Sequence, residues 1–300
     1  MSRSRLGIDV KRVALVTGCS GGIGYSIAEA LARESWSVYA GSRSPDADGA
    51  LAEAGCTLVQ LDVRDESQCR SAVSRAEAEK GSIDALVNNA GFGLHGAVED
   101  TSLSDARQQF ETNFFSIARL CQLVLPAMRA SGGGHIINMS SMGGRVTFPG
   151  GAFYHASKHA LEAFSDALRF ETKGFGVNVV IVEPGPVRSA FGSTGIGTMT
   201  GSTGEPAYRA FRESIVAGLR STFQGPGSER SSSPEEVAAV CLHALSEREP
   251  ASRYVVGEMA ELLIEQRFAG GDSAWDEFLE GLYPRPGGDR SGSTGTTDSA

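Results

Sequence analysis

Short β-branched runs alternate with longer helical patterns along the first 185 residues, and this alternation restricts the possible folds more than any other feature. The strand-like runs are 12–17, 37–41, 57–62, 84–90, 135–140 and 177–184; the helical patterns are 22–35, 66–80, 102–130 and 153–173; helix 233–245 and strand 253–257 follow. Strands that recur with a helix between them favour βαβ units, which build a parallel sheet. The sequence therefore predicts an α/β fold, a single doubly wound domain with about seven parallel strands and helices on both faces.

The predicted domain covers residues 12–283, because the chain shows neither a repeat nor a second core. Residues 1–11 are expected to form an N-terminal extension, and 284–300 have so little to bury that we predict disorder there. Residues 189–233 are rich in Gly, Ser and Thr, with one helical pattern at 206–220. This region is expected to shape the substrate site, either as a lid or as an irregular excursion.

Composition and charge exclude several classes of protein. The net charge is −9 and the basic residues form no dense run, which argues against nucleic-acid binding. The five cysteines are scattered without a C-x-x-C pair, which argues against a disulfide framework or a metal site and favours a reducing compartment. No apolar run reaches the ~18 residues that span a bilayer, and the N-terminus lacks the apolar stretch of a signal peptide. We predict a soluble cytoplasmic protein without a membrane span.

A glycine-rich turn, TGCSGGIG at 17–24, joins the first strand to the first helix. Glycines at 18, 22 and 24 would let a phosphate approach backbone N–H groups and the positive end of the helix dipole. The alternative is a tight turn without a ligand, common in βαβ units. The position of the turn favours a Rossmann-type dinucleotide site, whose predicted contacts here are Thr17, Gly18, Ser20, Gly22, Ile23 and Gly24.

The end of the second strand indicates which dinucleotide is bound. A carboxylate there would bond the ribose of NAD, but the sequence reads AGSRSP, with Ser42 and Arg43. The Arg43 guanidinium suits a 2′-phosphate, so we predict that NADP(H) is preferred and NAD(H) possible. The alternative is a solvated loop arginine. Asp62 and Val63, which end the third strand, are predicted to reach the adenine.

Five motifs in order make the chain resemble the short-chain dehydrogenase/reductase family. They are TGCSGGIG, then NNAG at 88–91, then Ser141, then YHASK at 154–158, then PGPVRS at 184–189. The segments between 136 and 191 are similar to the hydroxysteroid and retinol dehydrogenase-like branch. The resemblance implies an NAD(P)-dependent oxidoreductase that interconverts a ketone or aldehyde and an alcohol.

The resemblance also implies roles for individual residues. It assigns catalysis to Asn113, Ser141, Tyr154 and Lys158, with Ser141 chosen over Ser140 because the family's serine lies thirteen residues before the tyrosine. Further cofactor contacts are Asn89, Ala90, Gly91, Tyr154, Lys158, Pro184, Gly185, Val187 and Ser189. Asn113 is expected to anchor a water that carries protons to Lys158.

The pair Tyr154 and Lys158 has the spacing of neighbours on one face of a helix. Carbonyl reduction needs a proton donor, and a free tyrosine, with a pKa of about 10, is poorly matched to neutral pH. We therefore expect the lysine cation to lower the pKa of Tyr154. The alternative is an aromatic ring at a core edge beside a solvated lysine. His155 and His159 are interpreted as solvated or core-edge residues, and Glu162 as part of a solvated helix face.

The substrate is the least readable part of the sequence. His95, Met142, Phe148 and Phe191 are predicted pocket residues because they adjoin the motifs, although core packing explains each of them nearly as well. We predict a small-molecule, moderately apolar ketone or alcohol, steroid- or retinoid-like. The alternatives are a 3-oxoacyl-thioester reductase and a catalytically silent NADP-sensing regulator. The resemblance also implies a homodimer or homotetramer.

Overall fold

The computed structural model describes residues 11–45, 49–200 and 204–283. The N-terminal extension, apart from Lys11, and the predicted disordered tail therefore lie outside the described residues. The described chain contains one sheet of seven parallel strands in the order β3-β2-β1-β4-β5-β6-β7. The strands are β1 Val13–Thr17, β2 Ser37–Ser42, β3 Thr57–Gln60, β4 Ala85–Asn88, β5 Gly134–Met139, β6 Val177–Pro184 and β7 Arg253–Val256. The predicted doubly wound α/β fold is thus confirmed.

Ten α-helices accompany the sheet within the described residues. They are α1 Gly22–Arg33, α2 Gly49–Glu53, α3 Glu66–Lys80, α4 Leu103–Phe110, α5 Ser116–Ser131, α6 Ala152–Thr172, α7 Ala190–Thr200, α8 Arg209–Gln224, α9 Pro234–Ser246 and α10 Glu258–Leu282. Helix α9 begins with the capping box that its sequence predicts, in which Ser233 and Glu236 bond each other's backbone N–H groups. Helix α10 is interrupted at Gly271, whose φ of 69° is not helical.

Two hydrophobic layers fix the helices to the sheet. On one face, side chains of α1, α2 and α9 such as Ile27, Leu51 and Val237 pack on the strands. On the other face, α3, α5 and α6 contribute Val73, Leu120 and Leu161 among others. Each such side chain, fully buried, stabilises the fold by about 1.5–3 kcal/mol. Burial on both faces explains why strands such as β6, VNVVIVEP, read as nearly continuous apolar runs.

The structure differs from the sequence prediction in the region 189–233. Residues 190–200, AFGSTGIGTMT, form helix α7 although the run is rich in Gly and Thr. Ile196 and Met199 are buried, and the Ser193 and Thr194 hydroxyls bond the carbonyl of Ala190. Tertiary packing therefore overrides a low helix propensity. Among the described residues, no helix is long and apolar enough to cross a membrane.

Candidate active site

The predicted motifs meet at the carboxyl ends of the central strands. Strand β1 pairs with both β2 and β4, so the strand order reverses at β1. Ligands of open α/β sheets bind in the crevice at such a reversal. The glycine turn after β1, the NNAG turn after β4, the serine pair after β5 and the PGPVRS segment after β6 all lie at this edge.

The glycine turn has the geometry that a dinucleotide phosphate requires. Gly18 has a φ of +75°, in the left-handed region that side-chain-bearing residues rarely adopt. A Cβ at Gly24 would lie 2.4 Å from Asn89 Nδ2 and 2.5 Å from the carbonyl oxygen of Gly18. Ser20 is exposed at the rim and Ile23 is half-buried behind it. The residues present therefore fit a phosphate group held at the start of α1.

Thr17 joins the glycine turn to the NNAG turn. Its hydroxyl oxygen accepts hydrogen bonds from the backbone N–H groups of Asn89 and Ala90, both at 3.0 Å. The same hydroxyl donates to the carbonyl of Val87 at 3.3 Å. A further hydrogen bond joins the two turns, in which the Asn89 side-chain amide donates to the carbonyl of Thr17 at 2.9 Å. One buried hydroxyl thus fixes the relative position of two segments of the predicted cofactor site.

Two further contacts draw the other motifs to the same place. A Cβ at Gly22 would lie 3.2 Å from the Ser189 side chain, so the PGPVRS segment covers the glycine turn. A Cβ at Gly91 would lie 3.2 Å from Asn113 Oδ1, which places Asn113 against the NNAG turn. Pro184 ends β6, Gly185 bonds the carbonyl of Val256 at 2.9 Å, and Val187 is buried. The structure therefore brings the predicted cofactor segments together.

The adenine edge carries one residue that the sequence prediction missed. Arg43 is exposed after β2, and its charge helps to lower the pKa of Asp62. The largest cause of that lowering is Arg64, whose guanidinium bonds both Asp62 oxygens, at 3.0 and 2.6 Å. Val63, between them, is buried. Arg64 therefore pairs directly with Asp62 while Arg43 acts on it through its charge, and the LDVR sequence itself could have indicated the Arg64 pair.

Tyr154 lies in α6 with its ring almost completely buried. Burial raises the pKa of Tyr154 to about 12, and the neighbouring Ser141 hydroxyl opposes this rise. The net effect on the pKa of Tyr154 in this structure is therefore a rise and not the expected fall, because desolvation is its largest cause. Ser141 itself accepts a hydrogen bond from the N–H of Gly143 at 3.0 Å and donates to the carbonyl of Pro184 at 3.4 Å.

Lys158 lies one helical turn after Tyr154 and is also buried. Its ammonium group donates to the carbonyl of Met139, at the end of β5, with an Nζ–O distance of 2.8 Å. Burial lowers the pKa of Lys158 to about 8, while the charge of Glu162 acts in the opposite direction. The lysine is therefore not solvated, which argues against the alternative reading of the pair, and its protonation state changes near physiological pH.

Asn113 lies in a π-helical turn, Glu111–Phe115, that joins α4 to α5. Its side chain bonds both backbone polar groups of Phe92, at 3.2 and 3.0 Å, and its amide also reaches the Ser157 hydroxyl at 3.4 Å. These hydrogen bonds of the Asn113 side chain hold the segment after NNAG in place. Turns of this kind are frequent at functional sites because they change the course of one helical turn.

The four predicted substrate residues are not equally close to Tyr154. The rings of His95 and Phe191 lie 6.1 and 5.7 Å from the Tyr154 ring, measured between centroids. Phe148 packs instead against His155, at 6.0 Å. Met142 opens the short turn after Ser141 and makes no described aromatic contact. Beside His95 lies a cavity of about 570 Å³, whose lining includes Leu94, His95, Asp100, Thr198, Met199 and Arg212 but not Tyr154.

The loop between β5 and α6 is fastened by residues that sequence reasoning did not assign. His155 Nε2 accepts from the N–H of Phe148 at 3.1 Å, and its Nδ1 bonds the carbonyl of Gly143 at 3.0 Å. Burial lowers the pKa of His155 to about 4, so the imidazole is neutral. From α10, Trp275 donates its indole N–H to the carbonyl of Thr147 at 3.2 Å. The chain's C-terminal helix therefore holds one wall of the candidate site.

Glu162 is the other residue that the sequence prediction misjudged. It was expected on a solvated helix face, but only 8% of its side chain is exposed. Its position, one turn after Lys158 on the face that the predicted catalytic pair occupies, was a signal that could have indicated burial. Within the described part of the chain, no group of three or more His, Cys, Asp or Glu side chains could hold a metal ion.

Comparison with known proteins identifies the family. The family model described as short chain dehydrogenase matches residues 12–195. The chain belongs to the short-chain dehydrogenase family. It is therefore an NAD(P)-dependent dehydrogenase or reductase, and members of this family act on small molecules.

Curated relatives in the family share about a third of their residues with this chain. A probable short-chain type dehydrogenase/reductase, VdlC of Helicobacter pylori, is 34% identical over 84% of this chain and 90% of its own. Retinol dehydrogenase 8 of Bos taurus is 34% identical over 82% of this chain and 81% of its own. Human 17-beta-hydroxysteroid dehydrogenase type 1 is 32% identical over 93% of this chain and 87% of its own.

Solved structures share the fold over most of the chain. A short-chain dehydrogenase from Streptomyces avermitilis superposes with a TM-score of 0.76 at 32% identity, over 93% of this chain and 97% of that one. A short-chain dehydrogenase from Burkholderia cenocepacia, solved in complex with NADP, has a TM-score of 0.70 at 26% identity, over 92% of this chain and 100% of that one.

Proposed function

We propose that this short-chain dehydrogenase interconverts a moderately apolar ketone or aldehyde and its alcohol, with Tyr154 as the general acid and base and NADP(H) as the preferred cofactor. The observation that carries the proposal is the meeting of Tyr154, Ser141 and Lys158 at the sheet edge that also bears the glycine turn. A buried phenol beside a hydroxyl and a buried ammonium is an arrangement suited to moving a proton.

Each residue of the site has its own role in the proposed proton transfer. When bound, NADP(H) supplies or accepts the hydride. Tyr154, with its pKa raised by burial, is protonated at neutral pH and donates from Oη to the developing alkoxide. Ser141 bonds the substrate oxygen through its hydroxyl and stabilises the phenolate left on Tyr154. Lys158 supplies the nearby positive charge that favours that phenolate. Asn113 holds the segment after NNAG in place beside them.

A preference for NADP rests on the charges at the end of β2. Strand β2 contains no carboxylate, Arg43 follows it, and the positive charges of Arg43 and Arg64 both act on Asp62. The NADP complex of the Burkholderia cenocepacia relative is consistent with this preference. We expect Arg43→Asp to reduce the ratio of NADP to NAD affinity by tenfold or more. Arg70→Asp, an equal change of charge at an exposed position on α3, should leave the ratio unaltered.

An apolar substrate is supported by the surroundings of Tyr154. The ring of Phe191 lies against it, and burial lowers the pKa of the adjacent His95, which is therefore neutral. The retinol and 17-beta-hydroxysteroid dehydrogenases among the relatives carry apolar substrates in their names. We infer that the hydrocarbon part of the substrate lies against the rings of Phe191 and of the neutral His95, next to Tyr154.

The test is NADPH oxidation with a panel of a steroid ketone, a retinal, a 3-oxoacyl thioester and a small ketone. We expect turnover of an apolar ketone, and Tyr154→Phe should abolish it while NADPH binding survives. Tyr254→Phe, which removes a hydroxyl that bonds only the backbone of Ala251, is the matched control. Activity confined to the thioester would favour the oxoacyl reductase, and near-normal activity of Tyr154→Phe would refute the proposed role.

The proposed homodimer or homotetramer is supported by exposed aromatic side chains. Phe170 on α6 is 85% exposed, and Phe115 and Phe175 are about half exposed. Exposed apolar groups of this size favour an interface between protein surfaces. Light scattering coupled to size-exclusion chromatography measures the oligomeric state, and Phe170→Glu should lower it if α6 forms the interface.

A further inference from the structure

Behind Lys158, on the side away from Tyr154, lies a buried cluster of charged groups that the proposed chemistry does not use. It consists of Glu162 on α6, Ser140 at the end of β5, Arg145, Glu183 on β6 and Arg253 on β7. Arg253 Nε lies 3.1 Å from Glu162 and 3.2 Å from Glu183, and Arg145 lies 3.1 Å from Glu183. Glu183 has no exposed surface.

The cluster is not fully satisfied internally. Glu162 Oε1, Ser140 Oγ and Glu183 Oε2 are buried and have no partner in good hydrogen-bond geometry, although the Ser140 hydroxyl lies close enough to Glu162 to lower its pKa. Two of them face the same glycine: a Cβ at Gly144 would lie 2.7 Å from Ser140 Oγ and 3.0 Å from Glu162 Oε1. Leaving buried carboxylate oxygens unpaired costs free energy. Such an arrangement requires a reason other than stability.

Two structural connections link the cluster to Lys158. Glu162 follows Lys158 by one turn on the same helix face, where side chains are neighbours. Lys158 Nζ bonds the carbonyl of Met139, the residue before Ser140, so the end of β5 lies between the ammonium group and the cluster. The negative charge of Glu162 acts on Lys158 and opposes the effect of burial on the pKa of the lysine.

We propose that Glu162 is a positioning residue that keeps the Lys158 ammonium group charged, acting through the buried cluster rather than through contact with substrate or cofactor. The inference rests on the proposed role of Lys158 in supporting Tyr154. The charged groups around Glu162 are three cations, Lys158, Arg145 and Arg253, and two carboxylates, Glu183 and Asp166. Glu162 is the carboxylate whose charge acts on Lys158, so the lysine releases its proton more readily once Glu162 is neutralised.

Glu162 is itself able to change charge in the neutral range. Burial raises the pKa of Glu162 to about 7, Glu183 adds to the rise, and Ser140 and Arg253 oppose it. As the pH falls through this range, Glu162 takes up a proton and its support for Lys158 weakens. The ionisations of Glu162 and Lys158 are therefore coupled, and a change in the protonation of one residue should alter the titration curve of the other.

The decisive measurement is the titration of Lys158 itself, which needs no turnover. The chain has four lysines, so protein labelled with ¹³C at the lysine ε-carbon gives few signals, and Lys158→Arg assigns the one of interest. We expect Glu162→Gln to raise the acid dissociation constant of Lys158 about tenfold, which is a fall of about one pH unit in its midpoint. Glu162→Asp, which keeps the charge, should restore part of the change.

Asp166→Asn is the matched control. Asp166 bonds the same Arg253 at 2.6 Å and lies one turn further along α6, but its side chain is 47% exposed and is not a neighbour of Lys158. This variant removes an equal charge and should leave the Lys158 midpoint unchanged. If Glu162→Gln and Asp166→Asn give the same Lys158 midpoint, the proposal is overturned.

Activity gives a second readout that a purely structural role would not move. Because Lys158 must stay charged, the alkaline limb of kcat/KM for ketone reduction should shift to lower pH in Glu162→Gln. Should this variant fail to fold, the unmodified protein still decides the matter. Its Lys158 signal must show a second inflection where Glu162 titrates, and a single-step titration refutes the coupling. An enzyme without activity on any ketone can still show both NMR effects, so the failure of the proposed function is distinguishable.

Discussion

Replacing Thr17 with Val tests how the glycine turn and the NNAG turn are joined. Valine has nearly the shape of threonine, so the substitution removes the hydroxyl without opening a cavity. The lost oxygen is the acceptor for the N–H groups of Asn89 and Ala90 and the donor to the carbonyl of Val87. Thr17 is 1% exposed, so water cannot replace the oxygen at its own position.

The magnitude follows from the two N–H groups that lose their acceptor. Each unsatisfied backbone donor at a partly buried position costs about 1–1.5 kcal/mol, so we expect Thr17→Val to lower the free energy of unfolding by about 2–3 kcal/mol. Thr17→Ser keeps the hydroxyl and removes one buried methyl group, which costs about 0.8 kcal/mol. The variant with the polar serine should therefore be more stable than the variant with the apolar valine, although apolar side chains usually stabilise buried sites more.

Urea unfolding followed by tryptophan fluorescence measures the difference, since Trp36 and Trp275 are both buried. With an m value of about 3 kcal/mol/M, the midpoint should fall by about 0.8 M in Thr17→Val and by about 0.3 M in Thr17→Ser. NADPH affinity should fall more in the valine variant, because the two turns of the cofactor site are no longer connected. A valine variant as stable as the serine variant would refute this account of Thr17.

Three further predictions concern the turn, the loop wall and the pH dependence of stability. Gly24→Ala places a Cβ 2.4 Å from Asn89 Nδ2, so we expect a loss of about 2–3 kcal/mol and no thermal stabilisation by NADPH in a melting assay. Trp275→Phe removes the indole bond to Thr147 and should lower the free energy of unfolding by about 1 kcal/mol, measured by urea titration. Burial lowers the pKa of His155 to about 4, so the stability that its neutral form contributes is complete above pH 6.5 and is lost as the pH falls toward 4. The free energies of unfolding of the unmodified protein and His155→Gln, measured by urea titration, should therefore converge by about 2 kcal/mol between pH 7.5 and 5, and parallel curves would contradict this.

Sequence periodicity was sufficient for the sheet. Every predicted strand end agrees with the structure to within two residues, since strands buried on both faces leave an apolar signal that needs no tertiary information. The failure lies in 190–200, where Gly and Thr have low intrinsic helix propensity and only the buried contacts of Ile196 and Met199 decide the outcome. The sequence pattern also did not predict the π-helical turn at Asn113, because this turn changes the course of a helix without changing its amphipathic pattern.

The sequence by itself determined the doubly wound sheet, the phosphate-binding turn and the position of Tyr154 and Lys158 on one helix face. These depend on local spacing, and a helix or a turn imposes that spacing wherever it forms. Only the tertiary structure decided the electrostatics of the site. Burial raises the pKa of Tyr154 and lowers that of Lys158, and it places Glu162 in a charged cluster built from β5, β6 and β7. The pKa of a side chain depends on which distant residues exclude water from it, and spacing along the chain does not carry that information.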